Sequence, residues 1–144
     1  RTHEGFDLVA ACRTPLVAAA TGRVLRSGYD PVLYGNYLLV HGQGEHRGYF
    51  YAHLARPARV HRGGRVWAGQ RVGSVGRTGN ARTVGCHLHF EIHLRGRPID
   101  PAPNFAAGTA TAEAPVFRLR AVPQSKAALR CFLYESCTPT APSL

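Results

Sequence analysis

Residues 86–94 read Cys86-His-Leu-His-Phe-Glu-Ile-His-Leu94. Side chains alternate across a strand, so Leu88, Phe90 and Ile92 share one face, and His87, His89, Glu91 and His93 share the other. The apolar face can enter a core. Three imidazoles and a carboxylate in a row are a poor design for a merely solvated strand and a good one for a metal site. Histidines are also common on exposed strands, so the His87/His89 pair alone does not define a site.

Working outward from this stretch, residues 15–100 read as short strands punctuated by glycine. Gly22 to Gly28 alternates apolar and polar residues with the period of a half-buried strand. Asn36 to His41 and Gly48 to His53 follow, separated by the turn-like Gly42-Gln-Gly-Glu45; then come Arg65-Val-Trp67 and Arg71 to Val75. No segment here carries a helical apolar stripe. The expected fold is all-β, an antiparallel β-sandwich or partly open barrel. Composition shifts at Pro101, where Pro101 to Pro115 is rich in Ala, Pro, Thr and Gly. The expected organisation is a domain over 1–104, a linker over 105–115 and a short appendage over 116–144. The appendage is too short for its own core and carries an apolar patch (Leu129, Phe132, Leu133, Tyr134) beside Cys131 and Cys137.

With 144 residues, 44% of them hydrophobic, the chain can bury one real core. No apolar run approaches the roughly 18–20 residues needed to span a bilayer. No secretory signal is read ahead of the motifs described below, which says little about location because the sequence opens abruptly at Arg1. The net charge of +10 comes almost wholly from arginine, Lys126 being the one lysine. Such an excess attracts polyanions: nucleic acid, anionic lipid or the acidic polymers of a bacterial envelope. The arginines are scattered and no aromatic ladder is interleaved for base stacking, so nucleic acid is not the expected partner. Four cysteines without a C-x-x-C pair argue against a cysteine-rich structural zinc site and for disulfides in an oxidising compartment. Three pairings are possible; Cys12–Cys86 with Cys131–Cys137 is preferred.

Two further elements carry chemistry. His3-Glu-Gly-Phe-Asp7 offers an imidazole and a carboxylate, ligand types suited to zinc. It is not the helical H-E-x-x-H of other metallopeptidases, because position 7 is Asp and Gly5 weakens a helix, so Glu4 is not assigned as a general base. Tyr51-Ala-His53-Leu54 ends a strand; taken alone, His53 is most simply a hydrogen-bonded structural residue.

Together these elements are far more specific. The order H-x-x-x-D (His3–Asp7), Y-x-H-L (Tyr51–Leu54), a glycine-rich loop (Gly73-Ser-Val-Gly-Arg-Thr-Gly79) and H-L-H-F-E (His87–Glu91) resembles the lysostaphin-like zinc metallopeptidases, peptidoglycan endopeptidases with the duplicated hybrid motif fold. Supporting matches are Pro15-Leu-Val-Ala18, Tyr34-Gly-Asn36 and Val66-Trp-Ala-Gly-Gln70, and the resemblance covers residues 1–103. It implies an active-site groove over a central antiparallel sheet. It implies one Zn2+ held by His3, Asp7 and His89 with a fourth position for water, and His53 and His87 assisting without binding the metal. Three protein ligands and an open position are the catalytic rather than the structural zinc pattern.

The implied activity is hydrolysis of peptide bonds in peptidoglycan cross-links or stem peptides by a secreted monomer. It would act outside the cell, in the periplasm or at the wall, its positive charge helping it dwell on anionic wall polymers at short range. The alternative is a non-catalytic relative that binds wall or activates another hydrolase; such relatives usually lack the ligands or the paired histidines, all present here. A carrier module similar to biotinyl- and lipoyl-type hairpins (Gly64 to Gly73) lacks the modified lysine such modules need. Two departures matter. Gly79 to His87 is about two residues longer than the usual short loop, which reshapes one groove wall. Only Arg1 and Thr2 precede His3, so the site is expected to be open, without an upstream segment capping the zinc. His41 is read as structural, His46 and His61 as surface residues, and strand twist is expected to carry His93 away from the site.

Overall fold

The computed structural model describes residues 5–99. His3, the 105–115 linker, the 116–144 appendage and the Cys131–Cys137 pairing lie outside the described residues. Within them run β1 (Phe6–Val9), β2 (Pro15–Val17), β3 (Gly22–Asp30), β4 (Gly35–Gly42), β5 (Arg47–Leu54), β6 (Arg65–Val66), β7 (Arg71–Ser74), a short 3-10 helix (Gly79–Thr83), β8 (His87–Leu94) and β9 (Arg97–Ile99). The fold is all-β, as the alternation requires. The main antiparallel sheet has the order β1-β8-β5-β4-β3-β6, with β9 also on β8, and β2 pairs with β7 in a second, two-stranded sheet. Neither sheet closes into a barrel.

β8 is the central strand that CHLHFEIHL demands. β5 lies along one edge, while β1 covers the first half of the other edge and β9 the last. Leu88, Phe90 and Ile92 are fully buried, each worth about 1.5–3 kcal/mol on removal from water. They join Leu8, Leu38, Val40, Tyr51 and Leu54 of the main sheet and Leu16 and Val72 of the small sheet in one core. The Tyr51 hydroxyl lies inside this core and accepts the Ala19 backbone N–H at 2.8 Å, which links β5 to the end of β2. The expected alternation of β3 holds only over Gly22–Val24. A bulge at Leu25 breaks it, because beyond that point β3 pairs with β4 alone and leaves the core.

Cys12 and Cys86 form a disulfide, as preferred from the sequence. Closing a separation of 74 residues, it is worth roughly 4–5 kcal/mol on chain-entropy grounds, and it ties the turn after β1 to the start of β8.

One local feature decides where the chemistry falls. β5 and β8 pair in continuous register from Arg47↔Leu94 to Ala52↔His89. Continuing that register would place Leu54 opposite His87. Instead Val75-Gly76, just after β7, enters between them: Leu54 bridges Val75 and His87 bridges Gly76. The His87 N–H donates to the Gly76 carbonyl at 3.2 Å, and the Ala55 N–H to the Ser74 carbonyl at 3.0 Å. The two strands are thus prised apart at His53 and His87.

Candidate active site

Asp7 and His89 are direct cross-strand partners, facing each other from β1 and β8. Their neighbours Leu8 and Leu88 point into the core, so both polar side chains take the opposite face. Asp7 Oδ1 lies 2.9 Å from His89 Nδ1 and 3.9 Å from His87 Nε2. Gly5 allows the chain to cross this closely: a Cβ there would lie 2.7 Å from the Phe90 carbonyl oxygen and 2.8 Å from Glu91 Cγ. Gly5 of the H-x-G-x-D stretch is therefore a packing necessity as well as a helix breaker.

His53 reaches the same face from the end of β5, its ring centroid 4.8 Å from that of His87 and 6.0 Å from that of His89. It does so with φ at 60°, a left-handed conformation uncommon outside glycine and found mostly where surrounding structure enforces it. The enforcing contacts come from two of the matched motifs. The His53 N–H donates to the Tyr34 carbonyl, Asn36 Nδ2 donates to the Leu54 carbonyl at 3.2 Å, and the Thr78 hydroxyl donates to that same carbonyl at 2.9 Å while accepting from the Asn36 N–H. Gly35 and Gly79, both at positive φ, bring these two loops together. Tyr34-Gly-Asn36 and the glycine-rich loop thus act as a clamp on the Y-x-H-L strand end.

The tautomers follow from the partners. His53 Nδ1 lies 2.9 Å from the Thr78 carbonyl oxygen and His87 Nδ1 3.1 Å from that of Gly85. A carbonyl only accepts, so each Nδ1 carries the proton and each Nε2 is left as an acceptor. Burial pushes the His53 imidazole below its ordinary pKa, with its hydrogen bond to Thr78 opposing and the neighbouring imidazoles adding to the shift. A neutral ring at neutral pH suits proton acceptance.

His89 is held differently. Its Nδ1 faces Asp7, and its Nε2 lies 2.8 Å from Glu91 Oε1. Glu91 in turn accepts from His93 Nε2 through Oε2 at 2.7 Å. Burial disfavours the Glu91 charge, but hydrogen bonds from His89 and His93 overcome it and hold the carboxyl at about 2. In His89, burial opposes protonation, and hydrogen bonds to Glu91 and Asp7 outweigh it and raise the pKa. An imidazole between two carboxylates can satisfy both only with two protons or with a cation in place of one. The Asp7–His89 pair therefore fits a metal: donors of the right type, about as close as ligands sharing one zinc must be, with Glu91 fixing the far nitrogen. Among the described residues no three His, Cys, Asp or Glu side chains form a complete metal-binding group.

The structure thus brings Asp7, His53, His87 and His89 together. Sequence reasoning assigned no role to Glu91 and set His93 aside. The long glutamate side chain reaches both neighbouring imidazoles at i−2 and i+2, so His93, which also stacks on Phe50 at 5.9 Å, is linked to His89 through Glu91. Parity had already placed all three on one face, and only the hydrogen bonds reveal the link. His46 and His61 are exposed, as read, and so is the His41 side chain.

The sequence profile of Peptidase family M23 matches residues 1–101, and the chain belongs to that family. A relative from Neisseria meningitidis serogroup B, "DD-carboxypeptidase/endopeptidase Mpg", is 33% identical over 138 residues, covering 85% of this chain and 30% of its own length. The chain thus spans less than a third of that curated relative. Among solved structures, a "zinc containing peptidase from vibrio cholerae" superposes with a TM-score of 0.61 at 34% identity over 68% of this chain and 29% of the other. The catalytic domain of lysostaphin from Staphylococcus simulans superposes with a TM-score of 0.64 at 28% identity, covering 72% of this chain and 78% of that one. Family membership makes this a metallopeptidase fold. Among the described residues no helix is long and apolar enough to cross a membrane.

Proposed function

We propose that this chain is a zinc-dependent endopeptidase that hydrolyses peptide bonds in the cross-links or stem peptides of bacterial peptidoglycan, outside the cytoplasm. The observation that carries the reading is the division of the imidazoles. His89 sits between two carboxylates, as a ligand does, while His53 and His87 anchor Nδ1 on backbone carbonyls and keep Nε2 for other use. The names of the Mpg relative and the zinc-containing structural neighbour point the same way.

In this reading His3, Asp7 and His89 hold one zinc ion. When bound, zinc supplies Lewis acidity that polarises the scissile carbonyl and acidifies the attacking water. The rest falls to the side chains. One of the Nε2 atoms of His53 and His87 accepts the water proton and passes it to the leaving amine. The other ring, when it has taken a second proton from solvent on Nε2 and is an imidazolium, donates that N–H to the oxyanion that develops on the carbonyl oxygen. Glu91 orients His89 by accepting from its far nitrogen.

The test is to strip the purified chain with a chelator, confirm one equivalent of zinc on reconstitution, and incubate it with walls of known cross-bridge chemistry while fragments are weighed by mass spectrometry. Zinc-restored release of peptide fragments is expected. Cleavage that persists without metal overturns the reading, as does one bound zinc with no peptide released from any wall type. Glu91→Gln is expected to weaken zinc binding about 10- to 100-fold in competition with a chromophoric chelator, since a neutral amide is a poorer acceptor for His89. Unchanged affinity would remove Glu91 from the site.

A further inference from the structure

Away from the imidazoles lies a cleft of about 390 Å³ lined by Arg13, Arg56, Arg59 and Arg71, with Ala55, Pro57, Gly73 and Ser74 between them. Its arginines come from three separate segments that backbone hydrogen bonds hold in place. The Arg13 N–H donates to the Val75 carbonyl at 2.7 Å, in a turn also tied down by the Cys12–Cys86 disulfide. The Arg59 N–H donates to the Val72 carbonyl at 2.9 Å, and Arg71 opens β7. All four side chains are exposed, and among the described residues none of the four guanidinium groups has a hydrogen-bond or carboxylate partner. Among the described residues no acidic side chain lines the cleft. Four like charges bordering one cleft without a counter-charge among its described lining repel one another, and an anion relieves that repulsion.

We propose that this cleft binds the phosphate groups of an anionic polyol-phosphate chain. Guanidinium is a planar fork matched to oxyanions, and a phosphate offers more acceptor oxygens to several forks than a carboxylate does. The lining chooses the rest of the ligand. Among the described lining residues there is no aromatic side chain on which a nucleic-acid base could stack, while Ala55, Pro57 and Gly73 leave a small apolar wall suited to an aliphatic backbone, and the Ser74 hydroxyl can donate to a further oxygen. The chain connects the cleft to the proposed catalytic residues: Ala55 follows His53-Leu54, and Ser74 precedes the Val75-Gly76 wedge. A wall polymer held here would keep the chain beside its substrate between cleavage events.

The experiment measures binding of a defined glycerol-phosphate oligomer to the whole zinc-loaded chain by calorimetry, with backbone amide shifts followed by NMR. Saturable binding is expected, weakening steeply as salt rises, with shifts at Ala55, Gly73 and Ser74. The double variant Arg59→Gln/Arg71→Gln is expected to bind roughly tenfold more weakly. The variant Arg95→Gln/Arg97→Gln, with the same loss of charge at the opposite end of β8, is expected to change affinity less than about twofold. Equal losses in the two variants would reduce the effect to overall charge and overturn the site. So would an oligothymidylate of equal charge binding more tightly than the glycerol-phosphate oligomer, or no saturable binding at low salt. The readout is independent of hydrolysis: a His87→Ala variant should bind the oligomer as the parent does, so failure here and failure of the peptidase reading are distinguishable.

Discussion

Replacing His87 by alanine is expected to slow peptide release from purified peptidoglycan by about a hundred- to ten-thousand-fold while zinc remains bound. The residue is well placed for so specific a loss. Its Nδ1 proton is committed to the Gly85 carbonyl, and its Nε2 lies 3.9 Å from Asp7 Oδ1, beside the proposed metal but not in the ligand pair. What anchors the strand there is backbone: the Val9↔His87 pairing and the His87 N–H to the Gly76 carbonyl. Truncating the side chain leaves these intact, so the fold should survive, and a melting temperature close to the parent's together with one equivalent of zinc would show it. Activity within a few-fold of the parent would mean that His53 alone manages the protons. Loss of zinc along with activity would instead make His87 a ligand.

Gly76→Ala is expected to damage stability and activity together, although position 76 carries no chemistry. Its Cβ would overlap the backbone of Ala55 and lie 2.7 Å from the His53 carbonyl oxygen. Neither neighbour is the far end of a flexible side chain, so the backbone itself must move. Overpacking of this kind costs about 1–3 kcal/mol, which lowers the melting temperature of a domain this size by several degrees. The displacement is aimed at the gap between His53 and His87, and a misplacement of about 1 Å at reacting groups can cost on the order of a hundredfold in rate. Gly28→Ala is the control: the atoms nearest its Cβ would be those at the end of the Tyr37 side chain, at 3.1 Å from the hydroxyl, which can shift. Within about 1 kcal/mol of the parent is expected there, a size typical of substitutions that meet no rigid neighbour. If both glycine variants melt and cleave alike, the wedge does not position the two histidines.

Much of this architecture was legible in the sequence because strand alternation is a strict geometric rule. CHLHFEIHL specified a strand with one apolar face, and the structure buries Leu88, Phe90 and Ile92 as that face demands. The residue types of the site were legible too, since few side chains bind zinc or move protons near neutral pH. Less legible was the reach of each polar group. Glu91 and His93 stood on the right face, but the bonds of Glu91 to His89 and to His93 depend on side-chain length and on how strand β5 walls them in. The strand carrying Asp7 was not foreseen as a strand at all. Phe6–Val9 is too short to show a period, and it gains its conformation only by pairing with β8.

By itself, then, the order of residues determined which strand is half apolar and half imidazole, which side chains can bind metal or carry protons, and which cysteines could join. The resemblance already implied that Asp7 and His89 meet; only tertiary structure decided that they do so as cross-strand partners of β1 and β8, that Val75-Gly76 splits β5 from β8, and that His53 turns into the gap at a left-handed φ of 60°. The physical reason is the range of the forces involved. Alternation and chemical type are properties of a residue and its near neighbours, whereas register, wedging and enforced strain arise from hydrogen bonds between segments dozens of residues apart.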